Sequence, residues 1–479
     1  MTFFRLNFLW HRCYLILIIL LSGCTVGPNY HRPVDTMPEK YSSTRQVFSY
    51  KQFNQFWWRA FNDPVLIGLI NQALKGANLD IQKAYANIRQ ARAELNIANA
   101  DYYPQIDANG RYVRDHLSGN SEIISAFPQG IIPLTYTDAK FGFDASWEID
   151  LFGHTRREVE ASRARFQSAI ENQYNVALAT SAEVARIYTQ YRVYQQRILI
   201  AKHTVVSYTE TAKLVQLQQQ AGVATGVDLQ RVESEVLSAK STLPPLQAEA
   251  KASLAALAVL VGELPEILFH ELSETAPIPL MKQKKLSLGL PSDLLQRRPD
   301  IRMAERNLAA ATADIGVAVA NQFPRIQLIG DLGFDTTKPG TYLQAASRYW
   351  TLGPQILSMP IFQGGRLKNA VKAQKAAADI ALATYKQAIL QALADVESSL
   401  IRYERERLAR QKWLASYNKL KSARRLIQLQ YREGQTTLLD VLDVERQLDQ
   451  LNDQYVQSVG QVTTNLISFY KALGGSWIT

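Results

Sequence analysis

The chain carries one unit written twice. Residues 92–110, RAELNIANADYYPQIDANG, align with 312–330, TADIGVAVANQFPRIQLIG, so that Ala98, Ala100, Pro104, Ile106 and Gly110 recur as Ala318, Ala320, Pro324, Ile326 and Gly330. Further on, LVQLQQQAGVATGVDL at 214–229 aligns with LIQLQYREGQTTLLDV at 426–441, and Gly222, Thr225 and Asp228 recur as Gly434, Thr437 and Asp440. Two matches in the same order at nearly the same offset identify a tandem duplication. The join near 263–296 holds Pro265, Pro277, Pro279 and Pro291, as a linker should. Any fold for this sequence has to accommodate the same supersecondary unit twice.

Each copy reads as a helix, two strands, a very long helix, a short break at glycine and another helix. Repeat one is expected over 63–262, with strands at about 105–114 and 139–150, a long helix at about 153–221 and a helix at about 226–261. Repeat two is expected over 297–479, with strands at about 325–334 and 349–361, a long helix at about 366–433 and a last helix at about 438–473. From about 153 to 221 there is no proline and one glycine, at the start. At about 1.5 Å per residue this is a rod of roughly 100 Å. Val184, Ile187, Tyr191, Tyr194, Ile198, Ala201, Val205, Tyr208, Ala212 and Val215 alternate steps of three and four, which is a coiled-coil seam. The matching seam of the second copy is interrupted by Arg407 and Arg410.

The segment Lys140 to Asp150 alternates strictly. Phe141, Phe143, Ala145, Trp147 and Ile149 share one face, and Gly142, Asp144, Ser146, Glu148 and Asp150 share the other. That pattern suits a barrel strand with lipid outside and water inside, and it equally suits a half-buried strand of a soluble sandwich. Four strands cannot close a barrel, and a sheet in lipid must have no free edge. If these strands span a membrane, several chains share one barrel: two chains give eight strands and three give twelve. A conducting pore favours three or more.

The first residues read as an address. Arg5, His11 and Arg12 precede an apolar run, Tyr14 to Leu21, too short to cross a bilayer. It ends in Leu21-Ser22-Gly23-Cys24, similar to a bacterial lipobox. This predicts a lipoprotein signal peptide over 1–23, lipid on Cys24, and a lipidated extended segment over 24–62. Lipid there anchors the chain without spanning the membrane. Cleavage removes Arg5 and Arg12 and no acidic residue, taking the net charge from +10 to +8.

Several function classes fall away. The basic excess is spread along the chain, and its densest cluster, Lys282 to Lys285, is four residues long, so nucleic acid is not an expected partner. The only cysteines are Cys13 and Cys24, and the six histidines (11, 31, 116, 154, 203 and 270) include no pair at ligand spacing. No metal site or cofactor is expected. Nor does a catalytic constellation or phosphate-binding glycine loop stand out, so the protein is not expected to be an enzyme.

The residues as a whole resemble the outer membrane efflux protein family, the TolC-like proteins, and within it the lipidated, NodT-type drug-efflux branch. The resemblance rests on Cys24-Thr25-Val26-Gly27-Pro28-Asn29-Tyr30, on Trp57-Trp58 with Phe61-Asn62-Asp63-Pro64, on Leu294 to Ile301 (LLQRRPDI), and on Pro360-Ile361-Phe362 followed by Gly364-Gly365-Arg366. It implies a mainly α protein with membrane β-strands and a homotrimer combining a twelve-stranded outer-membrane barrel with a periplasmic α-helical barrel. The 263–296 linker would lie in a belt around its waist. It also implies a passive exit duct for small molecules such as drugs, served by an inner-membrane efflux pump and a periplasmic adaptor. Two alternatives stay open: an adaptor or scaffold lipoprotein without a pore, and a type I protein-secretion channel.

The candidate site is the turn after the second long helix, Tyr431 to Asp443. Asp440 and Asp443 are three apart and share a helical face. In a trimer they would form a ring that attracts cations and raises its own pKa values by mutual repulsion. A plain first-turn carboxylate favoured by the helix dipole is the competing explanation for Asp440. The resemblance implies that the pair lines a periplasmic gate, that Leu439 lies at an apolar constriction, and that Asp228 and Tyr431 form a latch between neighbouring hairpins. Thr436 stands where some members carry an arginine of that latch.

Overall fold

A computed structural model describes residues 25–34, 37–41, 48–49, 56–128, 130–131, 133–281, 286–287, 290–338 and 340–475. The expected signal peptide, Cys24 and the Lys282–Lys285 cluster lie outside the described residues.

The principal elements of repeat one are α1 (Leu79–Ala100), β1 (Gln105–His116), β2 (Thr135–Ile149), α2 (His154–Gln220), α3 (Gly226–Ser241) and α4 (Leu243–Val261). Those of repeat two are α5 (Pro299–Ala320), β3 (Arg325–Thr336), β4 (Arg348–Ser358), α6 (Arg366–Arg432) and α7 (Leu438–Ala472). The two long helices, α2 and α6, are both 67 residues. One difference from expectation is the helix drawn over 226–261. Pro244 and Pro245 supply no amide donors and crowd the carbonyls four residues back, so the helical ladder is interrupted at Thr242 and two helices result. The equivalent α7 has no proline and runs unbroken for 35 residues.

The chain divides into two compact units. One comprises the described residues up to Pro33, with Arg89–Ser168 and Ala304–Thr384. Its centre is a four-stranded antiparallel sheet in the order β1-β2-β3-β4, so the two copies meet at the β2–β3 ladder. The register turns the period of two into continuous rows. Ala108, Phe143, Leu332 and Trp350 lie side by side, as do Ile106, Ala145, Gly330 and Leu352. On the opposite face the rows are Asp107, Asp144, Asp331, Thr351 and Asn109, Gly142, Gly333, Tyr349. Asn109 donates to the Asp144 carboxylate. The Gly142–Gly333 pair is needed for packing: a Cβ on Gly142 would lie 2.6 Å from the Tyr349 hydroxyl. The aromatic face stays open to solvent in the single chain, with Trp350 77% exposed.

In the same unit the segment after Cys24 is stapled to the start of α2. The Val26 amide donates to the Phe152 carbonyl (3.1 Å), and Arg157 donates to the Val26 carbonyl (3.1 Å) and to Asn29 Oδ1 (2.7 Å). Gly27 meets Gly316 so closely that a Cβ would fall 2.5 Å from the Gly316 Cα.

The second unit comprises the described parts of Val34–Ile88, Ala169–Met303 and Tyr385–Thr479. Its largest buried side chains include Trp57, Trp58, Tyr188, Tyr385 and Phe469, and Trp57 stacks on Tyr470 at 5.6 Å. Asp63 caps the helix Pro64–Gln72 and accepts the Tyr188 hydroxyl at 2.9 Å. Along α2 the seam residues Val184, Tyr191, Ala201, Tyr208 and Val215 are buried. Along α6 the described buried residues run from Tyr385 to Leu400 and stop before the arginine-rich stretch.

Candidate functional site

The candidate residues lie at the two turns where a long helix reverses into the next. Each turn is built in two steps. Gly222 (φ 75°) ends α2, its amide donating to the Gln219 carbonyl and the Val223 amide to the Gln218 carbonyl. Gly434 (φ 72°) ends α6 identically, with Gly434 donating to Tyr431 and Gln435 to Gln430. A left-handed residue closing two such bonds is the glycine C-cap, and only glycine adopts it without steric cost.

The chain then enters the next helix through a capping box. Asp228 Oδ2 accepts the Thr225 amide (3.1 Å) and hydroxyl (2.7 Å), and the Asp228 amide points back at Thr225 Oγ1 (3.2 Å). Asp440 Oδ2 accepts the Thr437 amide (3.1 Å) and hydroxyl (2.6 Å). It accepts a third bond from the Thr436 hydroxyl (2.9 Å). Thr436 thus reinforces the cap.

These bonds decide the charge of both aspartates within the chain. Hydrogen bonds from Thr437 and Thr436 hold the Asp440 carboxyl below its ordinary value, and those from Thr225 do the same for Asp228. The upward shift expected from a ring is therefore not what a single chain produces, because its cause would be the carboxylates of other copies. The competing explanation, a first-turn carboxylate, describes Asp440 within the chain.

Asp443, one turn on, is free of the cap. Its oxygens accept from Arg446 (2.8 Å) and Gln447 (2.6 Å), and all three side chains lie at the surface. Leu439 is 56% exposed while Leu438 is buried at 7%. Leu438 joins Leu442, Tyr208, Val215, Val232, Val236 and Ala239 in one apolar cluster, against which Tyr431 also packs. Side chains from α2, α3 and α7 thereby tie the two hairpins together below the tips.

Tyr431 and Asp228 are not bonded to each other. Tyr431 donates instead to Gln218 Oε1 on the other long helix (2.9 Å), while Asp228 serves its own cap. Burial raises the pKa of the phenol, and the Asp228 charge adds in the same direction, so the two are near enough to sense one another. Gln218 was not singled out from the sequence, although the repeat places it four residues before Gly222.

Comparison with known proteins agrees with this architecture. The family model described as "Outer membrane efflux protein" matches residues 69–263 and 290–475. Nodulation protein T of Rhizobium leguminosarum bv. trifolii is 31% identical, with 90% of each chain covered. The solvent efflux pump outer membrane protein SrpC of Pseudomonas putida is 30% identical, over 96% of this chain and 97% of that one. The solved structure of the outer-membrane channel OprN is 33% identical and superposes with a TM-score of 0.86, covering 95% of this chain and all of that one. The chain belongs to the outer membrane efflux protein family, and its place is the outer membrane.

Proposed function

We propose that the protein is the exit duct of a tripartite efflux system, a homotrimer that passively conducts small molecules delivered by an inner-membrane pump and a periplasmic adaptor. The observation that carries this reading is the sheet. Its four strands expose a continuous apolar face, carry aspartates on the other, and end in two edges, β1 and β4, that are unpaired among the described residues. In lipid every edge must be paired, so the sheet continues into copies of itself. Three copies give twelve strands, enough to leave a water-filled bore. Lipid on Cys24 holds the N-terminus at the membrane. Energy comes from the pump, and the duct performs no chemistry on its cargo.

The periplasmic mouth is the second tip. Two aspartates per chain in three chains make a ring of six, with Leu439 as its apolar neighbour. Asp228 and Tyr431 latch neighbouring hairpins, Tyr431 reaching Gln218 within the chain and Asp228 acting through its charge. The ring selects cations and narrows the closed state.

Single-channel recording of purified protein in a planar bilayer tests this. A small cation-selective current is expected, and Asp440→Ala with Asp443→Ala should enlarge it or remove its selectivity. No channel from well-folded protein would favour the adaptor or scaffold reading and would withdraw the spanning role of the strands. A wide, unselective conductance unaffected by the double substitution would favour a protein-secretion channel.

A further inference from the structure

The break between α3 and α4 has no counterpart in repeat two, and it lies in the wall of a cavity. Thr242 and Pro245, on either side of the interruption, line a space of about 530 Å³ bounded also by α2 and α7. One wall is apolar, with Ile200, Ala201, Ala239 and Leu246 beside the Tyr208 ring.

The charged groups of the lining are Arg197, Glu235, Arg446, Asp449 and Asp453. Four of them answer one another. Arg197 grips both oxygens of Asp453 at 2.6 and 3.0 Å, and Arg446 lies 3.8 Å from Glu235 as well as bonding Asp443. Asp449 stands outside these pairs. One turn before it on α7, Glu445 is buried; its Oε1 accepts from Gln428 (2.8 Å) and Arg424 (3.4 Å), and its Oε2 has no hydrogen-bond partner among the described residues. Both carboxylates draw on Arg424, and the Glu445 oxygen without a partner leaves negative charge close to an apolar wall. Burial pushes the Asp449 carboxyl up to about 6 and the Glu445 charge adds to this, while the Thr204 hydroxyl, Arg424 and His203 act against it. The cost of keeping this carboxylate charged falls when a counter-ion enters.

We propose that this cavity binds a lipophilic organic monocation, its charged centre at Asp449 and its apolar body against Tyr208 and the aliphatic wall. The volume fits a drug-sized molecule, and an aromatic face beside a carboxylate is a suitable receptor for a substituted ammonium or pyridinium. Inorganic divalent ions are poor occupants, because a single free carboxylate with an apolar wall offers too few oxygens. The lining comes from repeat one and from α7 of repeat two, so a bound cation bridges the two hairpins and stabilises that arrangement. Asp440 and Asp443 are not part of the lining, although Arg446 of the lining bonds Asp443.

Fluorescence anisotropy of ethidium titrated with the full-length protein in detergent, against detergent alone, tests the proposal. Saturable binding is expected at pH 7, weakened about tenfold or more by Asp449→Asn. Ethidium keeps its charge at every pH used. Lowering the pH from 7 to 5 should therefore weaken binding roughly tenfold as Asp449 is protonated, and the Asn variant should lose that dependence. Ser238→Trp, at an exposed position of the lining, fills the space without changing charge and should abolish binding even if the Asn variant folds poorly. His203→Gln should keep the pH step. The absence of saturable binding, binding that survives both Asp449→Asn and Ser238→Trp, or a pH step that disappears with His203→Gln would each overturn the proposal. Current through a bilayer decides the duct reading separately, so either can fail alone.

Discussion

Gly222 and Gly434 end their helices in the same left-handed conformation, and Thr225 and Thr437 begin the next ones at nearly the same backbone angles, φ −88° and ψ 159° against φ −90° and ψ 159°. The side chains on this shared backbone have diverged. Ala224, Gly226, Val227 and Arg231 of the first tip stand where the second has Thr436, Leu438, Leu439 and Asp443. The first tip therefore presents one aspartate and one arginine. The second presents two aspartates and an exposed leucine, anchored by a buried one. Asp228 and Asp440 do the same local work in both copies, so their presence needs no gate to explain it. Asp443 stands where the first tip has an arginine, and the difference between the tips is concentrated there.

The largest effect is expected from making the second tip resemble the first. Asp443→Arg changes the charge by two in each chain and by six in a trimer. Cation selectivity, read from the reversal potential in a salt gradient, should be lost or inverted. The reciprocal change, Arg231→Asp, should alter selectivity less, because in the proposed duct the second tip, not the first, lines the mouth. Equal effects would mean that the two tips line the mouth alike, and no effect from Asp443→Arg would remove the ring.

A smaller and symmetrical effect is expected at the caps. Thr225→Ala and Thr437→Ala each delete an N-cap hydroxyl, costing about 1 kcal/mol of local stability. Hydrogen exchange of the first-turn amides of α3 and α7 should rise by a similar factor in the two variants. A much larger rise at the second tip would show that Asp440 depends on its threonines more than the shared geometry implies.

Tyr431→Phe should act less on stability than on gating. It removes the 2.9 Å bond to Gln218, worth about 0.5–1.5 kcal/mol. The first tip has Gln219 at this position and loses nothing equivalent. Mean open time should lengthen while selectivity stays unchanged; a change in selectivity would instead put the phenol in the pore lining.

The legible part of the molecule was local or periodic. Duplication, alternation from Phe141 to Ile149 and a long run without proline led to long helices and four strands, because each constrains the backbone within a few residues. Contacts across the repeats left no such trace. The pairing of Phe143 with Leu332 and the bond from Tyr431 to Gln218 join residues about two hundred positions apart. Pro244 and Pro245 were visible, yet prolines are tolerated in the first turn of a helix, so the sequence alone did not separate α3 from α4. Of the neighbours Leu438 and Leu439, only the packing of Tyr208 and Val232 decides which is buried. The Thr-x-x-Asp spacing recurs in both copies, but read from the sequence Asp440 is a gate residue or a plain first-turn carboxylate and not half of a capping box. The consequence for charge was not legible either, because it depends on three hydrogen bonds converging on one Asp440 oxygen.

That consequence leads to the smallest expected effect, an invariance. The folded Asp228 and Asp440 carboxyls both titrate below their ordinary value of 3.8. A carboxyl depressed on folding contributes stability that is fully present above its unfolded pKa and is lost as the pH falls through the folded one. Both caps should therefore be unchanged between pH 7 and pH 5 and weaken only below about 4. Amide protection at the two tips, corrected for intrinsic exchange rates, should be equal at the two pH values. Repulsion among the six carboxylates of the proposed ring would act in the opposite direction and only at the second tip, since Arg231 offsets Asp228 at the first. The first tip thus serves as the internal reference within one experiment. Loosening of the second tip alone at pH 5 would mean that carboxylates from neighbouring copies outweigh the threonine hydrogen bonds. Parallel, flat behaviour would mean that Asp440 stays ionised as a cap throughout this range and that its threonine hydrogen bonds outweigh any repulsion from neighbouring copies.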